Sequence, residues 1–176
     1  MLIEKTSKKN KILSKAVYSR CLDYRYSLSK EWDVGLPRAL FILLNPSTAT
    51  EEFNDSTISR CVARSCTLGF GAMMVCNLFA LRGRKPSDLI YHSEPIGLKN
   101  DLFIFKACNW LKNGTDGSIV ICGWGNMGSY LNRADTVKKE LRKRLGHLYC
   151  LGVTNKKQPV HPLYVSYSKK IESFFF

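Results

Sequence analysis

The chain has 176 residues, enough for one domain with a sizeable core and short for two, and its 45% apolar and 23% charged residues are ordinary for a folded protein. Lysine and arginine total 27 against 14 acidic residues, and the formal charge of +13 favours a polyanionic partner such as nucleic acid, the alternative being a generically basic protein. The chain has no signal peptide and no apolar stretch near the roughly 20 residues of a membrane span, so we expect a cytoplasmic protein without a membrane partner.

The N-terminal part of the chain divides into two segments. Residues 1–16 form a basic segment ahead of a single α/β domain spanning residues 17–176, and we expect residues 1–12 to be mobile or loosely attached. Aromatic and polar residues mix over 17–32, which favours a short hairpin or edge strands.

Strand and helix signals alternate over the rest of the chain. Four apolar runs predict buried strands, at residues 38–44, 71–78, 118–124 and 147–153. Three segments have helical spacing, at residues 55–69, 94–114 and 129–146. The first of these helices has Asp55 or Ser56 as its N-cap and Gly69 beyond its end. The alternation predicts a three-layer α/β/α fold around a central, mostly parallel four-stranded sheet.

Small and polar residues follow each predicted strand, where the carboxyl ends of parallel strands would bind a ligand. They form the segments 45–48, 77–82, 123–128 and 155–164. These segments supply amides, aromatic rings, one imidazole and several cations, but few carboxylates. We therefore expect an uncharged or anionic ligand held by hydrogen bonds.

Two asparagines that end neighbouring strands favour a shared polar pocket. Asn45 precedes Pro46, which pushes it toward an extended conformation; its amide either closes an Asx-type turn or orients a water or a base edge. Ser47 and Thr48 leave room for a ligand beside it. Asn77 repeats the pattern at the end of the second strand.

An aromatic ring, a turn and a histidine complete the candidate site. Phe79 either stacks on the ligand or belongs to the core. The turn Trp124, Gly125 and Asn126 resembles an anion-binding loop but matches no dinucleotide or Walker A pattern, so a tight turn is the alternative. His161 lies in a loop stiffened by prolines and is either structural or functional.

The cysteines and histidines predict neither a metal site nor a cofactor. The seven cysteines lack CxxC spacing, which argues against a zinc ribbon and a disulfide framework. Cys76, Cys122 and Cys150 lie in apolar runs and are expected to be small buried hydrophobic residues. The histidines are isolated from any further ligand set.

Several of these motifs resemble, in order, a bacterial and phage family of unknown function. LLNPSTA, DSTISRC, NLFALR and HPLY, spread over residues 38–166, are similar to segments of the family called domain of unknown function 1643. The resemblance implies membership of that family but carries no activity.

The same segments resemble, more distantly, the uracil-DNA glycosylase superfamily. Asn45 ends the first strand where that superfamily has DPYH or INPG, and Asn77 ends the second where it has LLLN. Residues 121–126 and 161–166 are similar to its LLWGS and HPSPLS motifs. The resemblance implies a uracil-DNA glycosylase-like fold whose cleft receives a base flipped out of DNA.

The resemblance also implies roles in excising a modified or damaged base. Asn45 would position the attacking water, and His161 would donate to the base carbonyl where negative charge develops. Asn77 would read the base edge, with Phe79 or Phe53 stacked on the ring.

Two departures from the superfamily pattern predict poor excision of plain uracil. Asn45 stands where the water-activating aspartate is found, and Leu163 stands where a serine contacts DNA phosphates. Asp55, Glu51 and Glu52 are close enough in sequence to replace the missing base, although Asp55 has helix capping as its alternative role.

Candidate contacts to DNA lie at the end of the NLFALR segment and on both sides of His161. They are Arg82, Lys156, Lys157, Tyr164 and Lys169, with a solvated surface as the alternative for the lysines. Three functions stay open: base excision from DNA, cleavage of free nucleosides or nucleotides, and non-catalytic binding of nucleic acid, nucleotide or protein. The charge favours the first over the second, and the missing general base keeps the third open.

Overall fold

The structure, a computed structural model, describes all 176 residues. Its strands are β1 (Leu2–Lys9), β2 (Ile12–Ser19), β3 (Arg25–Glu31), β4 (Arg38–Leu43), β5 (Ala72–Asn77), β6 (Ile119–Gly123), β7 (Tyr149–Cys150) and β8 (Glu172–Ser173). Its helices are α1 (Ser56–Thr67), α2 (Asn100–Lys112) and α3 (Arg133–Leu145). Three short 3₁₀ segments lie at Pro86–Leu89, Asn126–Asn132 and Pro162–Tyr164.

All eight strands form one mixed sheet in the order β1-β2-β3-β5-β4-β6-β7-β8. β4 pairs in parallel with β5 and β6, and β6 pairs in parallel with β7, whereas the other neighbours are antiparallel. The prediction of a central four-stranded, mostly parallel, uracil-DNA glycosylase-like sheet is therefore wrong, although the fold is α/β. The four predicted strands are present as β4 to β7, but three antiparallel strands extend the sheet beyond β5 and one extends it beyond β7.

The N-terminal residues belong to this sheet and are not loosely attached as predicted. β1 pairs with β2 from Leu2 opposite Ser19 to Lys9 opposite Ile12. The intervening Asn10 and Lys11 have φ of 50° and 66°, the left-handed conformation that closes a tight two-residue hairpin. β2 in turn pairs with β3, which gives the hairpin expected over 17–32, and β3 covers the edge that β5 would otherwise expose.

Apolar side chains build a separate core on each face of the sheet, because successive residues of a strand point to opposite sides. Leu40 and Ile42 of β4 pack into the core that includes residues of α2 and α3. Phe41 and Leu43 pack into the other core, which includes Ile58 of α1. Because both faces are covered, β4 is apolar from Ala39 to Leu43.

The predicted burial of Cys76, Cys122 and Cys150 is confirmed. Cys76, Cys122 and Cys150 are fully buried, and all seven cysteines are free thiols. Burial raises the pKa of the Cys76 thiol to about 12, so this group is a packing element and not a nucleophile. No group of three or more His, Cys, Asp or Glu side chains is arranged to hold a metal ion.

None of the helices is both long and apolar enough to cross a membrane.

Candidate functional site

A cleft of about 570 Å³ opens where the chain leaves the carboxyl ends of β4 and β6. Because these two strands pair in parallel, the segments that follow them emerge at the same edge of the sheet. The loop before α1, the turn after β6 and the segment around Pro162–Tyr164 line the cleft together. Motifs distant in sequence therefore meet at one place.

The cleft brings together about half of the predicted site residues. Those that line it are Asn45, Ser47, Thr48, Asp55, Trp124, Gly125, Asn126, His161 and Tyr164. Those that do not line it are Pro46, Phe53, Asn77, Phe79, Arg82, Lys156, Lys157 and Lys169.

The Asn45 side chain joins the loop after β4 to the loop after β5, and its Oδ1 remains free to accept a hydrogen bond from a ligand. Its Nδ2 donates to the carbonyl oxygens of Gly83, at 3.0 Å, and of Pro46, at 3.2 Å. The Gly83 amide also donates to the Pro46 carbonyl oxygen at 2.9 Å, so the loop after β4 is fastened to the loop after β5. Both amide hydrogens of Asn45 are thereby used. Its Oδ1 can accept a hydrogen bond in the cleft, but Nδ2 has no hydrogen left to donate.

Asp55 caps α1, as predicted, and both of its carboxylate oxygens are occupied. Oδ1 accepts from the Ile58 amide at 2.8 Å, and Oδ2 accepts from the Ala49 amide at 3.3 Å. If this carboxylate turned to take a proton from water, the first turn of α1 would lose its cap. The geometry therefore favours the capping role over that of a general base.

The two other candidate carboxylates point away from the cleft. Glu51 is buried and accepts a hydrogen bond from the Tyr18 hydroxyl at 2.9 Å. Glu52 lines a second groove, of about 260 Å³, next to the β1–β2 turn. Asp55 is thus the only carboxylate that lines the cleft.

His161 presents a neutral imidazole to the cleft. Burial, offset in part by the charge of Asp55, lowers the pKa of His161 from its ordinary 6.5 to about 4. Its Nδ1 accepts a hydrogen bond from the Leu163 amide at 3.3 Å, so the ring proton resides on Nε2. At neutral pH, His161 therefore offers an uncharged N–H donor.

The lowered pKa of His161 predicts a dependence of stability on pH. Between pH 6.5 and about 4 the unfolded chain binds a proton at this residue that the folded chain does not. The stabilising contribution is fully present above pH 6.5 and is lost as the pH falls toward about 4. Urea denaturation at several pH values should show that the wild type loses stability over this window more steeply than His161→Gln. Parallel profiles for the two proteins would contradict the buried, neutral imidazole.

The turn after β6 is held rigidly by residues of the 154–160 loop. Trp124 donates from Nε1 to Oε1 of Gln158 at 2.7 Å, and the Thr154 hydroxyl donates to Oδ1 of Asn126 at 2.6 Å. Gly125 has φ 67° and ψ −172°, a conformation that is essentially restricted to glycine. Trp124 is only 1% exposed, so its indole belongs to the base of the cleft and not to an open stacking surface.

Asn77 and Phe79 lie inside the protein and do not share the cleft with Asn45. Asn77 pairs with Leu43, so it sits two positions deeper in the sheet than Asn45, and it is 2% exposed. The Asn77 carbonyl oxygen accepts from Nδ2 of Asn100 at 2.9 Å. Phe79 is fully buried against the ring of Tyr130, whose centroid is 5.9 Å away. The predicted pocket shared by the two asparagines does not form.

Two further predicted binding residues lie close to the cleft in sequence but outside it. Pro46 contributes its backbone carbonyl oxygen to the bonds from Asn45 and Gly83. Phe53 is 69% exposed and lines the groove next to the β1–β2 turn.

The predicted DNA contacts are scattered, and several already have partners. Arg82 lies over the ring of Tyr18, 5.6 Å from its centroid, and donates to the Leu22 carbonyl oxygen at 3.2 Å. Lys169 forms an ion pair with Glu172. Lys157 lies 5.3 Å from the ring centroid of Phe176.

Lys156 and Tyr164 remain more open to solvent. Lys156 is exposed, and Tyr164 lies at the rim of the cleft with 80% exposure. Of the predicted DNA contacts, only Tyr164 lines the cleft.

Sequence reasoning missed a cation at the cleft. Arg84 lines it, is exposed and forms no ion pair. The basic run GRKP, directly after the predicted NLFALR segment, was the available signal. Ser56 and Thr57 also line the cleft, so α1 begins there, and its first turn contains no acidic residue. A cation and a helix N-terminus both favour electronegative ligand atoms.

A search among curated proteins finds no match to this chain. The family model described as "Protein of unknown function (DUF1643)" matches residues 25–163. This range covers β3 to the start of the last 3₁₀ segment and includes Asn45 and His161. The match extends over most of the chain, and the protein therefore belongs to the DUF1643 family.

Proposed function

We propose that this protein binds a base flipped out of DNA and hydrolyses its N-glycosidic bond, acting on a modified or damaged base in a bacterial or phage setting. The observation that carries the proposal is the meeting of Asn45, the Trp124–Asn126 turn and His161 in one cleft. These are three of the four segments in which the sequence resembles the uracil-DNA glycosylase superfamily. The parallel pairing of β4 and β6 brings these segments to one edge of the sheet, and the side chains to which the resemblance assigns roles line a single cavity there.

The two polar side chains complement the chemistry of glycosidic cleavage. When the bond between C1′ and the base nitrogen breaks, its electron pair leaves with the base, and the sugar becomes electron-poor. The Nε2–H of His161 can donate to a base carbonyl oxygen as negative charge develops there. The Oδ1 of Asn45 can accept a hydrogen bond from the water that attacks C1′, and the proton of that water passes to solvent or to the departing base.

The surroundings of the cleft favour a nucleic acid over a free nucleoside. The chain carries a formal charge of +13, and Arg84 stands unpaired at the cleft. Hydroxyl groups of Ser47 and Thr48 add neutral hydrogen-bonding positions along its wall. DNA with one base flipped into the cleft fits both features, because its phosphates complement the positive charge and its uncharged base complements the neutral wall.

Non-catalytic binding of a flipped base is the second candidate, and one observation favours it. Asp55, the only carboxylate in the cleft, uses both oxygens to accept backbone hydrogen bonds. Activation of the water then rests on Asn45, which can orient a water but cannot remove its proton.

A panel of duplexes tests the proposal, each with one modified pyrimidine at a fixed position. Release of a base leaves an abasic site that alkali cleaves, and we expect cleavage of at least one duplex by the wild type and not by Asn45→Ala. Base-selective retention of a duplex without cleavage would assign the protein to the second candidate. Release of bases from free nucleosides but not from duplexes, or no base selectivity in any duplex, would overturn the proposal.

A further inference from the structure

Two lysines of the β1–β2 ribbon, Lys5 and Lys9, lie on the same face of the sheet. In the antiparallel register, Lys5 lies opposite Ala16 and Lys9 lies opposite Ile12. Directly opposed residues share a face, and Ala16 packs into the core on the α1 side of the sheet. Lys5 and Lys9 therefore both project on the α1 side, and both are exposed.

This face is connected to the cleft by two arginines. Nζ of Lys5 lies 5.9 Å from the ring centroid of Tyr18, and the guanidinium of Arg82 lies 5.6 Å from the same centroid. Arg84, two residues further along, lines the cleft. Arg84, Arg82, Lys5 and Lys9 thus form a basic strip that leads from the cleft to the tip of the ribbon.

Acidic side chains also lie near the strip. Glu51 is buried, accepts from the Tyr18 hydroxyl and lies near the buried Lys30. Glu52 is exposed and lines the groove beside Lys9. Glu4 lies on the opposite face of β1, where it pairs with Lys15 at 3.7 Å.

The spacing of the strip suits a nucleic-acid backbone. Four residues of a strand rise about 13 Å, so Lys5 and Lys9 are separated by the axial rise of about four base pairs.

We propose that the β1–β2 ribbon is a docking arm for the phosphate backbone of DNA, with Lys5 and Lys9 as its contacts and Arg82 and Arg84 linking it to the cleft. The proposal rests on the proposed function only in taking DNA as the partner. It gives residues 1–16 a binding role, although the family match begins after them, at residue 25.

Binding of a plain, unmodified duplex of about 25 base pairs tests the arm separately from any base chemistry. Fluorescence anisotropy at several KCl concentrations gives the slope of log K against log[salt]. Each lost phosphate contact should reduce the magnitude of this slope by about 0.9, so Lys5→Ala/Lys9→Ala should reduce it by about 1.8. Lys5→Gln/Lys9→Gln should show the same reduction, and Lys5→Arg/Lys9→Arg should retain the wild-type slope.

The matched control is Lys139→Ala/Lys143→Ala, which removes the same charge from exposed positions of α3, on the other side of the sheet. Its slope should equal that of the wild type. Equal slopes for the ribbon variants and the α3 control would overturn the docking arm. Because the duplex contains no modified base, a lack of base selectivity in the panel would refute the proposed function and leave this result unaffected.

Discussion

Replacing Gly128 with alanine is expected to lower the free energy of unfolding by about 3 kcal/mol, at the upper end of what overpacking a core costs. A Cβ at this position would lie 2.8 Å from both Cγ and Nε1 of Trp124, closer than a carbon approaches such atoms. The indole has no room to retreat, because it is 1% exposed, packs against Phe174 at a centroid distance of 5.8 Å and donates to Gln158.

Urea denaturation followed by circular dichroism measures this effect, and Gly35→Ala provides the matched control. Gly35 is exposed, and the nearest atom to its added Cβ is Oδ1 of Asp33 at 3.4 Å, an ordinary contact. We expect a change within about 0.5 kcal/mol for the control. If Gly128→Ala were as stable as Gly35→Ala, Trp124 would not pack beneath the turn as described.

Substituting His161 with alanine is expected to slow base release by about 100- to 1000-fold in single-turnover assays, the usual effect of removing one donor to a developing oxyanion. The variant loses the Nε2–H that faces the cleft and also the Nδ1 that accepts from the Leu163 amide in the Pro162–Tyr164 turn. Truncating this side chain removes no charge at neutral pH, since the lowered pKa keeps the imidazole uncharged.

His147→Ala is the control for this experiment, because His147 is an exposed histidine that does not line the cleft. Its rate of base release should equal that of the wild type. A His161→Ala enzyme that is as fast as His147→Ala would remove the imidazole from the mechanism.

The central strands could be predicted because their signals are local. The apolar run within residues 38–44 predicts a buried strand wherever that strand lies in the sheet. Asp55 caps α1 through the Ile58 amide, three residues further along, and this local bond does not depend on where the helix packs. The ribbon could not be predicted in this way, since most of β1 is exposed and polar. The position of β1 comes from its pairing with β2. The antiparallel pairing of β3 with β5 joins Leu28 to Val75, which are 47 residues apart in the sequence.

The place of Asn45 in the site could be predicted from the sequence, whereas the position of Asn77 could not. Asn45 lies beyond β4 and reaches the cleft, whereas Asn77 is the last residue of β5 and remains in the sheet. That difference depends on the register of β5 against β4, which places Asn77 beside Leu43 and which no residue pattern reveals. Arg84 was not predicted for a related reason. The hydrogen bond from Asn45 to the Gly83 carbonyl oxygen brings the loop that carries Arg84 to the cleft, and this bond exists only in the folded protein.

A double-mutant cycle on Asn45→Ala and His161→Ala tests most directly whether these two residues serve a single ligand. The quantity to measure is the ratio of two Kd values, one for a plain duplex and one for the same duplex with the modified base selected from the panel. Contacts to the DNA backbone are common to both duplexes and cancel in this ratio. If both side chains hold the same base, their effects on discrimination should be coupled. The loss of discrimination in the double variant should then be smaller, by at least about 0.5 kcal/mol, than the sum of the losses in the two single variants. Additivity within about 0.3 kcal/mol, or unchanged discrimination in either single variant, would contradict a common base-binding cleft.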